Sequence, residues 1–131
     1  MVRRILVIDD ETSFRDSIAL MLRNEGFRVV VAECGHTAVS AIAAFAFDLV
    51  VVDIFMPGMD GLETIEVMRA DAPDVPIIAM SAYAYGGGPA LSDIVEMAVD
   101  RGAACFLHKP FSRQELRSAV ARSLKPEALV A

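Results

Sequence analysis

The chain reads as one α/β domain, a parallel sheet with helices on both faces. Three observations carry that reading. Short apolar runs alternate along the whole length with stretches whose apolar residues recur every three or four positions. The best of these runs are apolar at consecutive positions, as in strands buried on both faces. Five strand–helix units in succession imply right-handed crossovers, and these place helices on both sides of the sheet.

The elements follow in order. Ile5 to Ile8 is the first strand and ends in Asp9-Asp10. Phe14, Ile18 and Leu22 line one face of the first helix, which Gly26 ends. Arg28 to Ala32 is the most edge-like strand, and Thr37 to Ala44 is a short alanine-rich helix. Asp48 to Val52 is the third strand, with Asp53 at its end. Pro57 to Gly61 makes a turn, and Asp60 is placed to cap the helix carrying Leu62, Ile65 and Met68. Pro73 and Pro76 bracket the turn into the strand Ile77 to Met80, which ends in Ser81.

Gly86-Gly87-Gly88-Pro89 opens the fourth crossover. Its helix carries Leu91, Ile94, Val95 and Ala98 on one face and stops at Gly102. Cys105-Phe106-Leu107 is the last strand, followed by His108 and Lys109-Pro110. The last helix has a full start signal: Ser112 and Glu115 as a capping box, Phe111 and Leu116 as a hydrophobic staple. Its apolar face is Leu116, Ala119 and Val120, and Pro126 stops it soon after. The domain therefore spans 1–125, with 126–131 a tail too short for a second domain.

Composition bounds the function. The 131 residues are 55% hydrophobic, enough for a real core and too apolar for disorder. No apolar stretch reaches the roughly 18 residues needed to span a bilayer. The start, Met1-Val2-Arg3-Arg4, lacks the long apolar run of a secretory signal. A net charge of −6 with no Lys/Arg cluster disfavours nucleic acid. Cys34 and Cys105 have no metal spacing, Cys105 reading as a small core residue, and a reducing cytoplasm is the simplest setting. His36 and His108 read as solvated loop residues.

Ligands bind an open parallel sheet at the carboxyl ends of its strands. There this chain would gather Asp9, Asp10 and Asp53, the Ser81 hydroxyl and the Lys109 ammonium. Clustered carboxylates suit Mg²⁺, which takes oxygen ligands and keeps waters. An Asp carboxylate can attack phosphorus and become an acyl phosphate. Such transfer needs mainly positioning and charge neutralisation. The cation would serve one phosphoryl oxygen, Lys109 a second, and Ser81 with nearby N–H groups a third. Singly, each residue has a plainer reading: helix cap or turn former for the acids, solvated loop for the lysine. Their joint occurrence, each at its own strand end, favours the chemical one.

At this point the chain closely resembles the receiver (CheY-like) domain of two-component response regulators, over about residues 3 to 124. The likeness rests on Ile5 to Asp10, on Asp53 to Gly61, on Met80-Ser81-Ala82 and on Lys109-Pro110-Phe111. It implies a flavodoxin-like (βα)5 fold with strand order 2-1-3-4-5. It implies that Asp53 is the phosphoacceptor. Asp10 and Asp53 would bind Mg²⁺ directly, Asp9 mainly through water, and the Phe55 backbone carbonyl would be a further ligand. Ser81 takes the switch-hydroxyl position, Phe106 the switch-aromatic position and Lys109 the lysine position, with a cis Lys109-Pro110 peptide.

The phosphoryl donor would be a histidine kinase or histidine phosphotransfer protein. A phosphoryl group adds roughly −1.5 to −2 charge and three strong acceptors. Ser81 would move towards it and Phe106 would turn into the vacated space. The surface of the fourth helix, fifth strand and fifth helix would then change for a downstream protein partner. The expected behaviour is that of a self-phosphorylating and self-dephosphorylating switch, not a turnover enzyme.

Two features depart from the family pattern. The stretch from Ser81 to Lys109 is several residues longer, and the surplus falls at Tyr83 to Pro89, read as a mobile loop beside the site. Phe55 and Tyr83, each two residues past a site residue, are bulky and predict shielding of the acyl phosphate and slow self-dephosphorylation. Two other classes stand as alternatives. An aspartyl-phosphate phosphatase of the haloacid-dehalogenase type would carry an acid two residues after its nucleophile, where this chain has Phe55. A non-phosphorylated flavodoxin-like interaction module would not need the full acidic set, and FMN would be repelled by Asp9-Asp10 where its phosphate loop should lie.

Overall fold

The computed structural model describes residues 2–55, 61–82 and 91–125. Five strands and five helices alternate: β1 Arg4–Ile8, α1 Thr12–Asn24, β2 Arg28–Ala32, α2 Gly35–Ala44, β3 Leu49–Asp53, α3 Gly61–Asp71, β4 Ile77–Ala82, α4 Leu91–Asp100, β5 Cys105–Lys109 and α5 Arg113–Ser123. All four strand pairings are parallel, and the order is β2-β1-β3-β4-β5. The fold expected from the sequence is the one observed, with β2 at an edge.

The pleat sorts each strand's side chains between two cores. Ile5, Val7, Leu49, Val51, Ile78 and Met80 pack on one face against Ile18 and Leu22 of α1 and Leu116, Ala119 and Val120 of α5. Leu6, Ile8, Val50, Val52, Ile77 and Ala79 face the other way, onto Ala38 and Ile42 of α2, Ile65 and Met68 of α3, and Ile94 and Ala98 of α4. Both faces are apolar, so these strands read as unbroken apolar runs. Gly26 and Gly102 take φ values of 95° and 96° just past α1 and α4, the left-handed conformation expected of helix-ending glycines. The Ser112–Glu115 capping box forms with both bonds at 3.1 Å.

The strands β3, β4 and β5 run past their expected carboxyl ends for one cause, and β3 spans Leu49–Asp53 instead of Asp48–Val52 because Asp53 pairs with Met80. β4 continues through Ser81 and Ala82, and β5 through His108 and Lys109, because these residues pair with one another across the ladder. Backbone pairing carries a strand past the point where its apolar run stops. His108 is thus an exposed strand residue, and His36 lies exposed on α2, which starts at Gly35; neither is in a loop. Cys105 is half-buried, since β5 is the other edge strand. The expectations for the 57–60 turn with its Asp60 cap, the Tyr83–Pro89 loop, the Leu91 side chain and the tail 126–131 fall outside the described residues.

Candidate functional site

The same alternation positions the site. Residues 5 and 7, 49 and 51, and 105 and 107 point to the α1/α5 face, so Asp9, Asp53 and Lys109 follow on that face at the carboxyl end. Lys109 Nζ donates to Asp9 Oδ2 at 2.7 Å and to Asp53 Oδ2 at 2.9 Å. All three side chains are buried, Asp9 fully and Lys109 at 8% exposure. The other carboxylate oxygens take backbone donors. Glu11 N–H donates to Asp9 Oδ1 at 2.9 Å and Phe55 N–H to Asp53 Oδ1 at 3.0 Å. Arg15 Nη1 donates to the Asp9 carbonyl at 3.2 Å.

Asp10 is exposed and completes a cluster with Asp9 and Asp53 in which one oxygen of each lies within 4.8 Å of the others. Three carboxylates thus face one ammonium. Burial is the largest influence on Asp53 and raises its pKa; the Phe55 N–H and Lys109 pull it down without overcoming that. On Lys109 burial also acts most strongly, downward, but bonds to two carboxylates outweigh it and hold the ammonium above its ordinary value. Both directions fit one balance. A single cation serves two buried anions, so it stays charged while Asp53 is left short of positive charge. That shortage, met by an all-oxygen donor set, suits a hard divalent cation.

Ser81 and Phe106 lie on the opposite parity. Ser81 is fully buried, and its hydroxyl donates to the Ala82 carbonyl at 3.1 Å rather than to the acidic cluster. Phe106 pairs with Ala79 in the ladder and is half-buried against the α2/α3/α4 core. Phe55 is 49% exposed beside Asp53. The Lys109-Pro110 peptide is cis. Tyr83 lies outside the described residues.

The contacts of three residues escape a reading of sequence alone. Lys109 Nζ lies 4.3 Å from the centroid of the Phe14 ring. Phe14 in turn meets Phe111 in a T-shaped contact, centroids 5.4 Å apart and planes at 84°. From sequence Phe14 reads only as an apolar helix residue and Phe111 as a staple residue in the Lys109-Pro110-Phe111 motif, and no local pattern brings the Phe14 ring to position 109. Gly61 is the third. Its N–H donates to the Ile54 carbonyl at 3.1 Å, and a Cβ built there would collide with the Asp53 carbonyl oxygen and Ile54 Cα. Glycine is required for this close approach behind the acid.

The fold is a doubly wound α/β domain with a cationic side chain bridging two buried carboxylates at its carboxyl edge. Comparison makes the class specific. The model of the response regulator receiver domain matches residues 5–121. The chain belongs to that family, the phosphoacceptor domains of two-component signalling. It is 35% identical over 127 residues to the DNA-binding response regulator MtrA of Mycobacterium tuberculosis, covering 95% of this chain and 52% of that protein. It is 34% identical over 131 residues to the regulatory protein AtoC of Escherichia coli, covering 98% of this chain and 26% of that protein. The chain therefore spans about half the length of MtrA and a quarter of AtoC. Among solved structures, the chemotaxis protein CheY4 of Vibrio cholerae matches with a TM-score of 0.83 at 25% identity, covering 95% of this chain and all of that one. The receiver domain of NtrX from Brucella abortus matches with a TM-score of 0.79 at 33% identity, covering 92% and 97%.

Among the described residues, no helix is long and apolar enough to cross a membrane.

Proposed function

We propose that Asp53 is the residue that takes up the phosphoryl group, with Lys109 and Ser81 assisting and with 1–125 as the working unit. The observation that carries this is the Lys109 bridge: one ammonium, buried, within 2.9 Å of both Asp9 and Asp53. Asp9, Asp10 and Asp53, with the Phe55 carbonyl, would hold Mg²⁺. Bound there, the cation supplies neutralisation of negative charge on a phosphoryl oxygen.

The chain's own residues do the rest. An Asp53 carboxylate oxygen forms the bond to phosphorus as the bond to the donor's histidine nitrogen breaks; the electron pair leaves with that nitrogen, which takes up a proton. Lys109 releases the Asp53 oxygen and donates to a phosphoryl oxygen instead. Ser81 leaves the Ala82 carbonyl, a weak neutral acceptor, for a charged one. Charge-assisted bonds are roughly twice as strong as neutral ones, which is the driving force for that move. Phe106, half-buried, turns into the space beside Ser81. The α4–β5–α5 surface is then read by a protein partner. The donor is a histidine kinase or a histidine phosphotransfer protein, and no multiple-turnover substrate is needed. Both cysteines are free, in keeping with a cytoplasmic setting.

Incubation with Mg²⁺ and acetyl phosphate, followed by intact-mass analysis, tests the assignment. The parent gains one phosphoryl mass and Asp53→Asn gains none. Equal labelling of both proteins, or labelling of neither, sinks it. Omission of Mg²⁺ should abolish labelling, and Asp10→Asn should raise the Mg²⁺ concentration it requires.

A further inference from the structure

We propose that Phe14 is a positioning residue for Lys109, holding the ammonium on its ring face so that the cation keeps its place while Asp53 changes from carboxylate to acyl phosphate. The inference rests on Asp53 being the acceptor. Among the described residues, three partners fix Nζ: Asp9 at 2.7 Å, Asp53 at 2.9 Å and the Phe14 ring at 4.3 Å. The first two belong to the chemistry. On transfer the Asp53 carboxylate becomes a mixed anhydride and its negative charge moves out onto the phosphoryl oxygens, and Asp9 belongs to the set that would hold Mg²⁺. The ring neither ionises nor reacts, so it is the one partner present unchanged before and after transfer.

The surroundings make that partner effective. Lys109 is buried, and the attraction between a cation and a ring face is strongest when both are desolvated. The Phe14 ring is itself held by Phe111 at a near-perpendicular 84°. Phe14 is the third residue of α1, and Phe111 immediately precedes the Ser112 cap of α5. The starts of two helices thus set the orientation of one ring. An aliphatic residue at position 14 would fill the same space against the α1/α5 core but would offer no negative face. Packing and positioning are therefore separable.

The separating experiment replaces Phe14 with 4-fluoro-, 3,5-difluoro- and 3,4,5-trifluorophenylalanine, which keep the ring's shape and progressively remove its negative face. Phe14→Leu and Phe14→Tyr complete the set. The rate constant for phosphorylation by acetyl phosphate with Mg²⁺ is measured for each, together with the thermal midpoint. Expected is a graded fall along the fluorine series at nearly constant midpoint. Phe14→Leu should be slowed roughly threefold to thirtyfold and Phe14→Tyr should stay near the parent. A flat fluorine series in a parent that labels normally overturns the role of Phe14 alone; absence of labelling in the parent, or labelling of Asp53→Asn, overturns the acceptor reading instead. A second readout needs no phosphoryl donor. In the resting parent the Lys109 ε-methylene protons should be shifted upfield by the ring current, and ordinary shifts would overturn the contact. Should Phe14→Leu fail to fold, the fluorine series and this signature still decide.

Discussion

Two cations, one near each end of the sheet, are held differently: Arg69 at the amino end by neutral backbone oxygens, Lys109 at the carboxyl end by acids. Arg69, half-buried on α3, donates to the carbonyls of Val75 at 2.6 Å, Pro73 at 3.1 Å, Ala72 at 3.4 Å and Gly102 at 3.0 Å. It ties the turn before β4 to the turn before β5. The Arg4 guanidinium sits over Phe45, 5.1 Å from its centroid, with Nη1 donating to the Ala46 carbonyl at 3.5 Å, while the Arg4 backbone N–H donates to Asp48 Oδ2 at 2.8 Å. These contacts leave little charge to be answered. Lys109, by contrast, faces Asp9 and Asp53 with Asp10 beside them. The lesson is that charge alone does not mark a site. A satisfied cation holds turns together, while a cluster with too few cations is where a ligand gains most by binding.

Removing the central cation should break this contrast most severely. In Lys109→Met two buried carboxylates lose their partner, and breaking a buried ion pair from one side costs about 3 kcal/mol or more. Urea unfolding without divalent cation should show that loss, part of which Mg²⁺ restores, and labelling by acetyl phosphate should stop. Arg69→Met tests the other end. Several carbonyls lose a donor, and stability should fall by about 1–2 kcal/mol while the labelling rate stays that of the parent. If labelling fell with stability, the two ends would not be independent.

Asp53→Asn should act in the opposite sense on stability. Burial raises the Asp53 pKa in the folded state, so the folded protein binds that proton more tightly than the unfolded chain does. Its stabilising contribution is present below the ordinary value of 3.8 and is lost as pH rises through the higher folded value. At neutral pH without Mg²⁺ the amide variant should therefore be more stable than the parent, by about 1 kcal/mol. That gain should vanish near pH 4 and below, and a gain independent of pH would show that charge is not its source. The smallest effect is expected at Phe55, exposed beside the acceptor. Phosphate loss from Phe55→Asn should be a few-fold faster, as measured by decay of the labelled mass; an unchanged rate would remove Phe55 as a shield against water.

Much of this was legible in the chain itself. Ile5–Ile8, Leu49–Val52 and Ile77–Met80 announce buried parallel strands because an apolar side chain at every position has no other economical place. Gly26, Gly102 and the Ser112–Glu115 box announce helix ends because those residue types satisfy backbone geometry and donors locally. Asp9, Asp53, Ser81 and Lys109 could be assigned to one edge because a parallel sheet sends all its strand ends the same way. The overrun of β4 and β5 into polar residues was not legible, since a backbone ladder leaves no trace in side-chain polarity.

What the sequence determined by itself, then, is the order of the elements and the set of groups delivered to the carboxyl edge, both consequences of local periodicity and chain direction. Tertiary structure alone decided which of those groups meet. Strand parity sent Asp9, Asp53 and Lys109 to the α1/α5 face and Ser81 with Phe106 to the other, and the packing of α1 beside α5 brought the Phe14 ring onto an ammonium 95 residues away along the chain. Such contacts depend on distances between elements, which no stretch of sequence encodes on its own.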